Sequence, residues 1–81
     1  MTRLAIKEKI FQTLEHVAPE ASLDELAPND NLRESPEIGP AGFLNLMTRL
    51  RDDLKVEIPE SDYDRVNTLT ELVRYLSDRL R

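Results

Sequence analysis

The chain holds few side chains that could perform covalent chemistry, and they do not form a catalytic set. His16 is the sole histidine, and the chain has no cysteine. No second ligand or nucleophile stands at a useful spacing from His16, so a surface position near a helix end is expected for it. No nucleophile–base pair or phosphate-binding loop can be assembled from the other residues. The sequence therefore predicts a protein that is not an enzyme.

Carboxylates close together in the sequence are the next candidates, because divalent cations prefer oxygen ligands. Asp52 and Asp53 are adjacent, and Asp62 and Asp64 are separated by one residue. Neither pair belongs to a glycine-centred loop of alternating oxygen ligands. Solvated carboxylates are expected at these positions, and no metal site is predicted.

Serine hydroxyls are the remaining points at which a group could be attached. Ser35 precedes Pro36, which favours an extended backbone, and the simplest interpretation is a serine in a turn. Ser22 falls in an early loop, Ser61 suits a helix N-cap, and Ser77 lies inside the last predicted helix. These three are expected to be structural.

Length and composition limit the function further. With 81 residues, 40% of them hydrophobic, the chain suits a single globular domain over residues 1–81. Its net charge of −5 repels phosphate backbones, so nucleic acid is not an expected partner. The sequence shows no signal segment or long apolar span, so we expect a cytoplasmic monomer that does not bind membranes.

Apolar residues at three- and four-residue steps predict three main helices. The first ends at Ala18-Pro19, and the second runs from about Pro40 to Lys55. The third follows Thr68-Leu69-Thr70-Glu71, which fits a capping box. The three apolar stripes are Ile6, Ile10, Phe11, Leu14 and Val17; Phe43, Leu46, Met47, Leu50 and Leu54; and Leu69, Leu72, Val73, Leu76 and Leu80.

The segments between these helices complete the predicted fold. From Pro19 to Gly39 prolines and turn-forming residues indicate a long loop, with one short turn expected in residues 21–26. Residues 61–66 are predicted as a short helix with Ser61 or Asp62 as its N-cap. The result is an all-α fold, a small four-helix bundle of three main helices and one short helix. Four side chains should attach the long loop to the core: Leu23, Leu26, Leu32 and Ile38.

Two stretches of this pattern resemble the acyl carrier protein family. Residues 50–62, LRDDLKVEIPESD, are similar to the family's leucine, acidic run, large apolar residue and Glu-Ile-Pro-Asp/Glu. Residues 66–76 resemble its closing threonine and amphipathic helix, and residues 31–34 resemble the loop before its second helix. The resemblance implies the acyl-carrier fold and a role in a fatty-acid, polyketide or related lipid pathway.

The family's Asp-Ser-Leu motif aligns without a gap with Gly39-Pro40-Ala41. In the family, the serine hydroxyl is joined to 4′-phosphopantetheine, whose thiol carries acyl groups as thioesters. Proline has no hydroxyl, so no cofactor is expected at Pro40. One alternative is a genuine acyl carrier protein with its 4′-phosphopantetheine on Ser35, and another is a small helical adaptor unrelated to carriers.

The resemblance also assigns a partner-binding surface on the second helix, where carriers dock through acidic residues. Arg49 and Arg51 add positive charges to a helix that also carries negative ones, which weakens electrostatic steering toward a basic partner. The implied partner is a protein, such as an enzyme of a thioester or lipid pathway, bound through contacts alone. The assigned residues are Ala41, Leu44, Asn45, Thr48, Arg51 and Asp52.

Overall fold

The computed structural model of this protein describes residues 1–80, and its long elements are three α-helices. These are α1 (Arg3–Val17), α2 (Gly39–Leu54) and α3 (Leu69–Arg79). Short 3-10 helices occupy Leu23–Glu25 and Glu60–Arg65. The prediction of an all-α bundle with three main helices and one short helix is confirmed, and the short turn expected in residues 21–26 is the first 3-10 helix.

The helices pack around α1, which contacts both α2 and α3. Val17 at the end of α1 lies beside Gly42 near the start of α2, while Lys9 forms a 3.2 Å ion pair with Asp53 near the end of α2. These two contacts make α1 and α2 antiparallel. The buried hydrophobic residues of the helices all belong to the predicted stripes: Ile6, Ile10, Leu14, Phe43, Leu46, Met47, Leu50, Leu69, Leu72 and Leu76. The other five stripe residues are only partly buried: Phe11, Val17, Leu54, Val73 and Leu80.

The long connection between α1 and α2 is attached to the core as predicted. Leu32 is fully buried and Ile38 is 8% exposed, while Leu23 and Leu26 are partly buried against the same core. The Leu32 amide donates to the Asn67 carbonyl at 2.7 Å. This backbone bond joins the loop to the segment that enters α3.

Arg33 links this connection to two other parts of the bundle. Its guanidinium lies 5.2 Å from the centroid of the Phe43 ring and 3.2 Å from Asp64 Oδ1. Tyr63 meets the same phenyl ring edge-on, with the ring centroids 5.5 Å apart. Asn31 Oδ1 accepts from the Arg33 amide at 2.9 Å and so fixes the turn that presents the guanidinium. The loop, α2 and the second 3-10 helix are therefore joined around one aromatic ring.

Two details of the second 3-10 helix differ from the sequence prediction. The helix begins at Glu60 with Pro59 as its N-cap and has no side-chain cap, so the prediction of a Ser61 or Asp62 cap is wrong. Asp62 is not solvated, because its side chain is 17% exposed and accepts from Tyr75 Oη at 2.7 Å and from Arg79 Nη2 at 3.2 Å. Burial and the hydrogen bond to Asp62 raise the pKa of Tyr75 above its ordinary value of 10.0, although the Arg79 charge partly offsets them.

The helix termini show which capping signals decide the local structure. Thr68 Oγ1 accepts from the Glu71 amide at 3.1 Å, which confirms the predicted threonine cap of α3. At the start of α2 no side chain caps the helix. Gly39 instead takes a positive φ of 69°, and its amide donates to the Ser35 carbonyl at 2.7 Å. A glycine adopts this conformation without the clash that Cβ causes in other residues. Gly39 therefore sets the direction in which α2 begins.

If Leu32 anchors the long connection, Leu32→Ala should lower the free energy of unfolding by about 2–5 kcal/mol, because it leaves a cavity in the core. Urea unfolding followed by circular dichroism measures the change. The matched control is Leu44→Ala, whose side chain is 47% exposed and whose loss should stay within about 0.5 kcal/mol. Equal losses in the two variants would contradict the anchoring role of Leu32.

Gly39→Ala should destabilise the protein by about 1–2 kcal/mol, since an L-residue is strained at this positive φ. Steric crowding does not contribute, because no heavy atom lies within 4 Å of a Cβ added at Gly39. Gly39→Asn should lose less stability, because asparagine tolerates the left-handed region. Urea unfolding of both variants tests the order, and an alanine variant as stable as the unaltered protein would show that the positive φ is not needed.

Candidate functional site

The candidate site is the first turn of α2, where the structure places the residues that align with the Asp-Ser-Leu motif. Pro40 lies in the first turn of the helix and is exposed, and Ala41 beside it is exposed as well. Proline suits this place, since its fixed φ matches the helix and its missing N–H would have no partner there. The pyrrolidine ring carries neither a hydroxyl nor an N–H, so this turn presents no nucleophile.

Ser35, the alternative attachment residue, is engaged in the turn that leads into α2. It is half-buried, its amide donates to the Asn31 carbonyl at 3.1 Å, and its carbonyl accepts from the Gly39 amide at 2.7 Å. Its hydroxyl oxygen accepts from the Glu37 amide at 3.4 Å. Both the backbone and the side chain of Ser35 therefore hold the shape of this turn.

The surroundings of Ser35 are acidic. Ser35 borders a cleft of about 280 Å³. Among the described residues, the charged side chains that line this cleft are the carboxylates of Asp30 and Glu34. Asp30 Oδ2 also accepts from the Ala27 amide at 2.9 Å, which holds one carboxylate in place. Negative charges here oppose the approach of a phosphate group. The remaining lining residues are Leu26, Asn31 and Pro36.

The other three serines have structural or surface positions. The Ser22 amide donates to Glu37 Oε2 at 2.8 Å, which ties the early loop to the turn before α2. Ser61 is exposed on the second 3-10 helix, and Ser77 is half-buried within α3. None of the three belongs to the first turn of a long helix.

The predicted partner surface lies on one exposed side of α2. Its residues follow steps of three, four and seven, which keep side chains on one face of a helix. All six are exposed, and Leu44, at 47%, is one of the large hydrophobic residues exposed in the described chain. The six residues, here called the α2 face, are Ala41, Leu44, Asn45, Thr48, Arg51 and Asp52.

The charges on the α2 face largely cancel. Arg51 Nη2 lies 3.3 Å from Asp52 Oδ1, so the two charged members of the face form an ion pair with each other. Arg49, next to the face, is exposed and has no ion pair within residues 1–80. A cleft of about 210 Å³ continues the face from Arg51 onto Glu57, Ile58 and Pro59. Helical spacing could not reveal this cleft, because it depends on how the segment after α2 folds back.

The remaining polar candidates are held by ion pairs or lie at the surface. Asp52, Asp53, Asp62 and Asp64 each have a cationic nitrogen within 3.3 Å, from Arg51, Lys9, Arg79 and Arg33 respectively. His16 is exposed in the last turn of α1, as expected. Across residues 1–80 no three His, Cys, Asp or Glu side chains are grouped to hold a metal ion. Over the same residues no helix combines the length and apolar character needed to cross a membrane.

Comparison with known proteins identifies the family. The family model described as a phosphopantetheine attachment site matches residues 8–76, from the second turn of α1 to the last turns of α3. No curated protein and no solved structure gives a significant match to the chain. The family match excludes the alternative of a helical adaptor unrelated to carriers. Because the match includes most of the 81 residues, the chain belongs to the phosphopantetheine-attachment family, the family of the acyl carrier proteins.

Proposed function

We propose that this protein is an acyl-carrier-like protein that carries no phosphopantetheine and acts through protein–protein contacts. The observation that carries the proposal is Pro40 in the first turn of α2. When present in this family, phosphopantetheine supplies a thiol that holds acyl groups as thioesters, and it is joined to the protein through a hydroxyl oxygen. The first turn of α2 offers no such oxygen, so the residues at the expected position do not fit the group.

Ser35 is a poor substitute for the missing hydroxyl. A phosphodiester on its oxygen would stand beside Asp30 and Glu34, where like charges repel it. It would also lie before the turn of residues 36–38 and not at the N-terminus of α2, where backbone N–H groups favour anions. Modifying the oxygen would disturb the contact with the Glu37 amide. These features favour an unmodified Ser35.

The α2 face is the surface through which we propose that a partner binds. Leu44 is an exposed apolar side chain near its middle, and the Arg51–Asp52 pair leaves the face without excess negative charge. A partner that depends on strong basic patches would gain little steering from this surface. The proposed partner is an enzyme or other protein of a thioester or lipid pathway that meets the face with an apolar patch. No catalytic step is assigned to the chain itself.

The experiment that tests the missing arm is intact mass spectrometry after incubation with coenzyme A, Mg²⁺ and a promiscuous phosphopantetheinyl transferase. We expect no mass change in the unaltered protein, because no reactive hydroxyl lies in the first turn of α2. The matched variant is Pro40→Ser, which puts a hydroxyl at that position and should gain one phosphopantetheine. An acyl carrier protein of known competence verifies the transferase.

Ser35→Ala distinguishes the alternative. If the unaltered protein gains one phosphopantetheine and Ser35→Ala does not, the protein is a genuine carrier and the proposal fails. If Pro40→Ser is modified but the unaltered protein and Ser35→Ala are not, the transferase is compatible with this fold. The absence of the arm then follows from the proline. Peptide mapping of residues 31–49 locates any added group.

A further inference from the structure

A cleft at one end of the bundle combines positive charge with an apolar floor. It lies between the N-terminal turns of α1 and α3, has a volume of about 210 Å³, and is also lined by Pro28. Its basic residues are Arg3 and Lys7, one turn apart on α1, and Arg74 on α3. Its floor is formed by Leu69, which is 3% exposed, and by the half-buried Val73.

The three cations in this cleft share it with no acidic side chain of the described residues, although Arg74 also borders a neighbouring cleft with Glu71 and Asp78. Within residues 1–80 no acidic side chain lines the cleft, and Arg3, Lys7 and Arg74 form no ion pair. Lys7 has only the Phe11 ring, 5.9 Å from its Nζ. The chain as a whole is acidic, with a net charge of −5, yet it gathers three like charges around one concavity. The positive potential of these three exposed charges favours the binding of an anion in the cleft.

The backbone adds to the positive potential and gives the cleft a fixed shape. α1 and α3 both begin at this end, so the positive ends of two helix dipoles face the same region. The Thr70 amide and hydroxyl both donate to the Pro28 carbonyl, at 3.1 and 3.2 Å. These bonds hold the loop against α3, so Pro28 is already in place beside the cleft before any ligand binds.

The volume and the floor limit the size and character of the ligand. Sites for drug-sized ligands usually enclose about 300–1,000 Å³, so this cleft suits something smaller. An apolar cavity of about 150 Å³ in an engineered protein binds benzene. Because this cleft is larger, at about 210 Å³, it has room for a benzene-sized ring and one anionic group. The ring would lie on Leu69 and Val73, and the anion would face the three cations.

We propose that this cleft binds a small organic anion, a carboxylate or phosphate attached to a benzene-sized apolar body. Val17 and Gly42 place the Pro40 end of α2 beside the C-terminus of α1, so the cleft lies at the opposite end of the bundle. The α2 face contributes nothing to it. The inference is therefore independent of the proposed function and survives or fails without it.

The test is a titration of the ¹⁵N-labelled protein followed by amide chemical shifts. Phenyl phosphate and phenylacetate serve as the two anionic probes and distinguish phosphate from carboxylate preference. We expect saturable shifts confined to residues 3–7 and 69–74 with at least one probe, weakening as salt is added. Benzyl alcohol, which lacks the charge, and inorganic phosphate, which lacks the ring, should each bind about tenfold more weakly or worse.

Charge reversal supplies the matched variants. Arg3→Glu and Arg74→Glu should each weaken binding of the better probe by about tenfold. Arg65→Glu is the control, since Arg65 is exposed, lies outside the cleft and undergoes the same charge change. Amide shifts away from the cleft verify that each variant is folded.

Several outcomes would overturn the inference. They are the absence of saturable shifts with both anions, equal binding of benzyl alcohol, equal binding of inorganic phosphate, and equal weakening by Arg65→Glu. A lipid surface is tested separately by sedimentation with phosphatidylglycerol vesicles. In one outcome the unaltered protein binds the vesicles but neither soluble probe, and Arg3→Glu and Arg74→Glu each abolish vesicle binding. That result would assign the cleft to a membrane surface and would contradict the small-ligand proposal.

Discussion

The structure depends on how the long connection between α1 and α2 is held in place. The backbone hydrogen bonds within this segment close local turns, and the burial of Leu32 and Ile38 attaches it to the core. Burying one such side chain contributes about 1.5–3 kcal/mol, more than the exposed ion pair of Arg33 with Asp64 can supply. The ion pair and the ring contact of Arg33 orient the segment, and apolar burial provides most of its stability. Gly39, which follows the buried Ile38, then sets the direction in which α2 begins.

The same attachment explains how the fold is kept without a hydroxyl at position 40. α2 needs a turn at Gly39, an apolar stripe facing α1, and an exposed side, and none of these requires a hydroxyl at position 40. Proline in the first turn even favours the helix start. In this chain the residues that build the bundle are therefore separate from those that would carry a prosthetic group. Fold membership and carrier chemistry are different properties of the sequence.

The helices could be predicted from the sequence because their signals are local. The spacing of Ile6, Ile10 and Leu14 and the threonine at position 68 each act within a few residues, and the structure follows them. The features that were missed depend on residues far apart in the chain. Asp62 is held by Tyr75 and Arg79, and the cationic cleft needs Arg3 beside Arg74. No periodic pattern encodes such pairs, because tertiary packing brings them together.

The proposed role needs no covalently attached arm, and it is tested most directly by the intact mass of the protein isolated from its own cells. That measurement does not depend on the choice of a transferase, because any natural modification has already taken place in the cell. The proposed arm-free role predicts a mass equal to that of the unmodified chain, with Ser35 unaltered in the peptides that contain it. A mass increased by one phosphopantetheine, on Ser35 or on any other residue, would contradict it.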